Sequence, residues 1–146
     1  MFSVYSCSAI MGKYYPDCPD DIKDWIGQQK IYFVATAPRL QGGHVNVSPK
    51  GHDTFNIINA STCWYQDLTG SGNETISHLQ EDGNERNITV MWVAFEGPPQ
   101  IVRFWGRGRV IFPETSEFEK LLPEGDERRL PGARAIIWYV TCSLGR

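Results

Sequence analysis

The chain has 146 residues, 41% hydrophobic and 21% charged, with a formal net charge of −3. This is the make-up of one soluble globular domain, large enough to build a core without staples. The mild acidity argues against a general nucleic-acid or membrane-surface binder, while a local basic site stays open. No stretch reaches transmembrane length. The run from Met1 to Ile10 lacks the basic start and sustained apolar core of a signal peptide. Cys7, Cys18, Cys63 and Cys142 include no Cys-x-x-Cys pair, which argues against zinc. A reduced, intracellular and cytoplasmic protein is the expectation, with the sequons at Asn59, Asn73 and Asn87 as chance matches.

In chain order, Pro19-Asp20-Asp21 opens a short helix, with Ile22, Trp25 and Ile26 at helical spacing and Gly27 near its end. Strand patterns follow. Ile31 to Ala37 is a β-branched and aromatic run stopped by Pro38. Gln41-Gly42-Gly43 turns into His44 to Ser48, and further strands fit Thr54 to Ile58 and Thr62 to Leu68. Ser71 and Glu74 have capping-box spacing for a helix from Glu74 to about Glu81, with Ile76 and Leu79 on its buried side and His78 facing solvent. Strands resume over Ile88 to Phe95 and Gln100 to Phe112, joined by the turn Glu96-Gly97-Pro98-Pro99. Thr115 to Leu122 reads as a helix capped by Ser116 and Glu119, and a last strand begins near Ala133 and runs through Ile137. Strands joined by hairpin-sized links, without strict β-helix-β alternation, imply an antiparallel barrel rather than a doubly wound nucleotide fold.

Three segments carry candidate chemistry. In a strand, His44, Asn46 and Ser48 share one face, with Lys50 just beyond and Val45 and Val47 opposite. An amide and a hydroxyl suit the edges of a polar heterocycle, and a lysine suits a phosphate. A half-exposed strand with its polar side in water accounts for the same pattern. Pro49 cannot donate to a ladder, so pairing is expected to fail there. The second segment, Leu68-Thr69-Gly70-Ser71-Gly72-Asn73-Glu74-Thr75, passes through a glycine loop into a helix. Helix-start N–H groups bind phosphate, and glycines admit the anion to the backbone. A plain capped turn is the other reading. The third is Arg103, Arg107 and Arg109, which share a strand face with Trp105 and either grip a ligand or pair with surface carboxylates.

Taken together, the segments resemble the FMN-binding split-barrel proteins, the pyridoxamine 5'-phosphate oxidase-like family. The resemblance rests on Phe33 to Pro38, Gly43 to Gly51, Asp67 to Thr75, Ala94 to Pro99 and Gly106 to Val110, in that order, and runs from about Met11 to Ile137. It implies a mainly β fold: a six-stranded antiparallel split β-barrel with short flanking helices. It also implies a homodimer with FMN at the subunit interface. By position, Asn46, Ser48 and Lys50 would line the flavin and its phosphate, and Thr69, Ser71, Gly72, Asn73 and Thr75 would complete the phosphate cradle. Residues 11–137 form the expected domain, 1–10 an N-terminal extension, and 138–146 an atypical, truncated tail. Vitamin B6 oxidases carry a further C-terminal segment, so pyridoxamine phosphate is not the expected substrate. The implied activity is an FMN-dependent oxidoreductase of unknown substrate. The alternatives are a non-catalytic module for FMN, haem or another flat cofactor, and a truncated inactive homologue. No catalytic side chain is assigned, because hydride transfer to a flavin requires none.

Overall fold

The computed structural model describes residues 13–39 and 42–146, so the expected extension over residues 1–10 lies outside the described residues. The elements are β1 (Tyr14–Tyr15), α1 (Asp20–Gly27), β2 (Ile31–Thr36), β3 (Asn46–Gly51), β4 (Phe55–Ile57) and β5 (Thr62–Leu68). They continue as α2 (Glu74–Asn84), β6 (Arg86–Val93), β7 (Ile101–Ile111), α3 (Ser116–Leu121) and β8 (Ala133–Gly145).

Every pairing is antiparallel, in one eight-stranded sheet of order β3-β2-β6-β7-β8-β5-β4, with β1 added to β8. The two ends of that order, β3 and β4, are joined in the chain only by residues 52–54. So short a link forces the sheet to curl round on itself and leaves one opening between β3 and β4. This is an antiparallel split barrel. Its six longer strands are β2, β3, β5, β6, β7 and β8; the short β4 is the strand expected over Thr54 to Ile58, and β1 is an addition to the expected set.

Alternation explains what fills it. Tyr32, Val34 and Thr36 of β2 point inward, as do Cys63, Tyr65 and Asp67 of β5. Tyr32, Phe55, Tyr65, Trp92 and Phe104 form a chain of ring contacts with centroids 4.8–5.9 Å apart, mostly edge to face. The Tyr32 hydroxyl, 2.9 Å from that of Thr54, finds its partner inside. On the other side of β5 and β8, Trp64 and Ile136 pack under Phe118 and Leu122 of the α3 region. Both faces of β5 are therefore covered, which is why Thr62–Leu68 reads as a continuous buried run.

Several expectations change. β3 continues through Pro49, which pairs with Phe33. A proline is tolerated because β3 is an edge strand, where alternate N–H groups point away from the sheet. The N-cap of α2 is Asn73 rather than Ser71, and Thr115 caps α3, its hydroxyl accepting from the Phe118 N–H at 3.3 Å. His78 is buried, not solvent-facing. β8 extends to Gly145, pairing with β5, β7 and β1. At Gly106, beside a register shift against β8, a Cβ would stand 2.0 Å from the Val140 carbonyl oxygen. Only glycine allows that backbone approach. Gly106→Ala should therefore lower stability by about 1–3 kcal/mol, read as a drop in the urea midpoint with an unchanged slope.

Candidate functional site

The strand pairing decides where β3 points. Asn46, Ser48 and Lys50 lie opposite Thr36, Val34 and Tyr32, all inward-facing, so the polar residues of β3 face the barrel side and Val47 faces out. This inverts the usual burial rule. It is possible only because the opening beside β3 gives those polar groups partners and partial access to solvent.

Two connected networks result. In the first, Asn46 Nδ2 donates to the Thr75 hydroxyl at 3.0 Å and lies 3.5 Å from that of Thr36, while the Ser48 hydroxyl donates to Asn46 Oδ1 at 3.1 Å. The Thr36 hydroxyl also lies 3.0 Å from His78 Nδ1. β2, β3 and α2 are thus tied together by side chains at one end of the barrel. In the second, Lys50 Nζ meets Asp67 Oδ1 at 2.7 Å and Arg134 Nε meets Asp67 Oδ2 at 2.8 Å. Asp67 is 1% exposed and its partners 19% and 26%, so a buried carboxylate carries two cations that still reach solvent. Lys50 also sits 5.9 Å from the centre of the Tyr65 ring.

The glycine loop adjoins the second network. Arg134 Nη2 donates to the Gly72 carbonyl at 2.6 Å, and Thr69 donates twice to the Gly132 carbonyl, from its N–H at 2.8 Å and its hydroxyl at 3.0 Å. Thr69, Ser71, Gly72 and Asn73 are exposed and lead into α2, whose Asn73 N-cap makes no side-chain capping bond. A Cβ on Gly72 would meet only the mobile Glu74 carboxylate, at 2.5 Å. Among the predicted residues, Asn46, Ser48 and Thr75 share one network. Lys50 and Gly72 meet through Asp67 and Arg134, and Thr69, Ser71 and Asn73 line the loop. The sequence reading missed Thr36, His78, Asp67 and Arg134. The one available signal was a carboxylate, Asp67, near the end of the mostly aromatic and polar run of β5.

Other candidates resolve differently. Arg107 pairs with the exposed Glu85 at 3.0 Å, and Arg109 grips Glu117 with two N–H groups beside the Trp138 ring, so each has a surface carboxylate as its partner. Burial pushes the Cys18 thiol up to about 11, against a smaller opposing pull from Lys23, and pushes Cys63 higher still. Neither is an activated thiolate. The Tyr65 phenol is likewise pushed well up, chiefly by burial. A cleft of about 500 Å³ lies between the end of α1 and the β6–β7 turn, with Trp25, Phe95 and Pro98 among its walls and none of the predicted residues. Among the described residues no helix is long and apolar enough to cross a membrane.

The chain is thus an antiparallel split barrel with a two-cation cluster on a buried carboxylate, beside a glycine loop and a helix start. No protein-family profile matches the chain. Over 126 residues it is 38% identical to the pyridoxamine 5'-phosphate oxidase family protein ustO of Aspergillus flavus, a match covering 85% of this chain and 49% of that protein. The chain thus spans about half the length of the curated relative it matches. A single-residue variant of HupZ from Group A Streptococcus superposes with a TM-score of 0.66 at 20% identity, over 88% of this chain and 98% of that one. A Lactobacillus delbrueckii protein, provisionally designated a pyridoxamine 5'-phosphate oxidase, gives 0.64 at 11% identity, over 90% and 95%. An FMN-binding protein from Syntrophomonas wolfei gives 0.50 at 14%, over 78% and 75%. Fold and sequence together place the chain among the pyridoxamine 5'-phosphate oxidase-like split-barrel proteins.

The first network can be tested without a ligand. Thr75→Val keeps the shape of a buried side chain but removes the acceptor nearest Asn46 Nδ2. Stability should fall by about 1–3 kcal/mol, the cost of an unpaired polar group, measured by denaturant unfolding. Thr75→Ser should recover most of it.

Proposed function

We propose that this chain is a flavin-binding protein that takes FMN and acts as an oxidoreductase on a substrate not yet identified. One observation carries the reading: Lys50 and Arg134 converge on Asp67 beside the exposed loop that enters α2. The donors suit a phosphomonoester, since Lys50 and Arg134 retain unused N–H groups and the helix start adds its own. Fold neighbours that include an FMN-binding protein support the same ligand class. FMN, when bound, supplies the redox chemistry by accepting a hydride equivalent on its ring. This chain's residues bind and orient. Asn46 and Ser48 offer an amide and a hydroxyl to the ring edge, while Lys50, Ser71, Gly72 and Asn73 hold the phosphate end. A non-catalytic module for FMN, haem or another flat cofactor is told apart by the absorption spectrum of the protein as purified. A flavin spectrum, bleached by nicotinamide dinucleotides, supports the redox role.

We further propose that the working unit is a homodimer. The barrel interior is filled by Tyr32, Tyr65, Trp92 and Phe104, so a ring system must sit outside it. The outer face over β2, β3 and the adjoining ends of β6 and β7 is largely apolar, with Arg103 of β7 opposite Met91: Val47 is 59% exposed, Ile31 40% and Ile101 41%, with Phe33, Met91 and Val93 between them. An apolar sheet face of this kind suits a second copy of itself. The free, buried Cys18 and Cys63 suit a reducing, intracellular setting.

Val47→Glu should shift the protein to monomer in sedimentation and weaken FMN binding with it. A stable monomeric parent that binds FMN tightly would remove the dimer from this picture. Lys50→Ala should weaken FMN binding roughly tenfold or more, the worth of a charge-assisted hydrogen bond, and change riboflavin binding little. Equal losses for both flavins would mean that Lys50 acts only by steadying Asp67.

A further inference from the structure

We propose that Arg134 is the second cation of the phosphate subsite, a binding residue on β8 that Asp67 aims. This rests on the flavin-binding reading and adds to it a residue from outside every segment that carried the family resemblance.

The geometry gives Arg134 three tasks at once. Its Nε is fixed by Asp67 Oδ2 at 2.8 Å, and its Nη2 by the Gly72 carbonyl at 2.6 Å. The remaining guanidinium donors are uncommitted to either partner, and the side chain is 26% exposed beside the loop. The charge count favours an anion: Lys50 and Arg134 contribute two positive charges against the single charge of Asp67, leaving a formal +1 at the mouth of the opening. Two cations fixed on a buried carboxylate cannot collapse onto each other or drift into solvent. Their free N–H groups are held in place before the ligand arrives.

The bond to Gly72 matters separately. A carbonyl oxygen lining an anion site repels a phosphate. Here that oxygen is turned onto a guanidinium, which neutralises it and orients the loop. Thr69, clamped on the Gly132 carbonyl at the start of β8, fixes the other end of the same loop. Glu74 is the opposing charge, its carboxylate lying against Gly72. Being exposed and attached through flexible bonds, it can swing aside. β8 and the Gly132 just before it therefore supply both the loop's anchor and a ligand-facing cation, while a merely structural Arg134 would need only its contact with Asp67.

The test compares parent, Arg134→Gln, Arg134→Lys and the double variant Asp67→Asn/Arg134→Gln, titrated separately with FMN and riboflavin by fluorescence and melted without ligand. The double variant removes one charge of each sign, so the buried carboxylate is not stranded and the net +1 on Lys50 remains. Arg134→Gln, or the double variant if the single one fails to fold, should lose FMN affinity roughly tenfold or more while riboflavin stays within about twofold. Arg134→Lys should recover part of it. Equal losses for both flavins, or no loss for FMN in the folded double variant, overturn the proposal and leave Arg134 as a counter-ion of Asp67. A parent that binds FMN no better than riboflavin also overturns it, while the flavin reading stands. A parent that binds neither flavin defeats that reading. In that case the proposal survives only if inorganic phosphate raises the melting temperature of the parent and not of Arg134→Gln.

Discussion

A carboxylate taken out of water costs several kcal/mol unless cations and hydrogen bonds compensate it, and Asp67 is compensated from two directions. Lys50 comes from β3, at one end of the strand order, and Arg134 from β8, next to β5 near the other. The sheet has no backbone ladder between β3 and β4, so the opening is bridged by side chains instead. β4 pairs only with Cys63 to Tyr65, leaving Asp67 beyond the reach of that short strand. The ion cluster stands where a longer β4 would have stood. Removing one partner would strand a buried charge, which is why the cluster belongs to the architecture as much as to any ligand.

The filled interior sets the second constraint. With Trp92, Tyr65 and Phe104 packed edge to face, no ring-sized ligand can enter the barrel, and its site must lie at the opening or on a face. β3 meets that requirement by reversing the ordinary alternation, polar residues toward the barrel and valines toward solvent. The inversion gives β3 two distinct surfaces: a polar side bonded to Thr36, Thr75 and Asp67, and an outer side that exposes Val47. On the proposed reading, one six-residue strand would link ligand binding to self-association. A change on either side of β3 is felt by the other through the pleat.

Local patterns carried most of the fold. Thr62–Leu68 and Asp20–Gly27 are legible because composition and spacing act within one element. The misread points depend on what lies across space. Ser71 and Ser116 have good capping spacing, yet the chain enters each helix at Asn73 and Thr115, because the neighbouring backbone decides which residue adopts the cap conformation. His78 is polar itself, and its hydrogen-bond partner inside the fold is Thr36, 42 residues away. Lys50 and Arg134 lie 17 and 67 residues from Asp67, so no local rule could gather the three. β8 was read short because its later half is held by pairing with β5 and β7. The resemblance supplied the site residues on β3 and the loop, but not the carboxylate between them.

How rigid the site is follows from which groups hold which. Asn46, Ser48, Lys50, Asp67 and Arg134 all lie on strands whose backbones are paired, and their side chains restrain one another. The loop from Thr69 to Asn73 is exposed and has no ladder, and its position is borrowed from Gly132, Arg134 and the first turn of α2. α2 in turn is pinned to β2 and β3 through His78 and Thr75. A ligand that draws the loop inward must therefore pull on Arg134 and on Thr75 together, coupling the two networks through one short segment. The loop and Glu74 are exposed and lie outside the strand ladders, while the groups that would recognise the ligand lie on paired strands. On the proposed reading, such a division would favour tight binding of a small anion-bearing ligand, because little of the binding energy would be spent on ordering the protein.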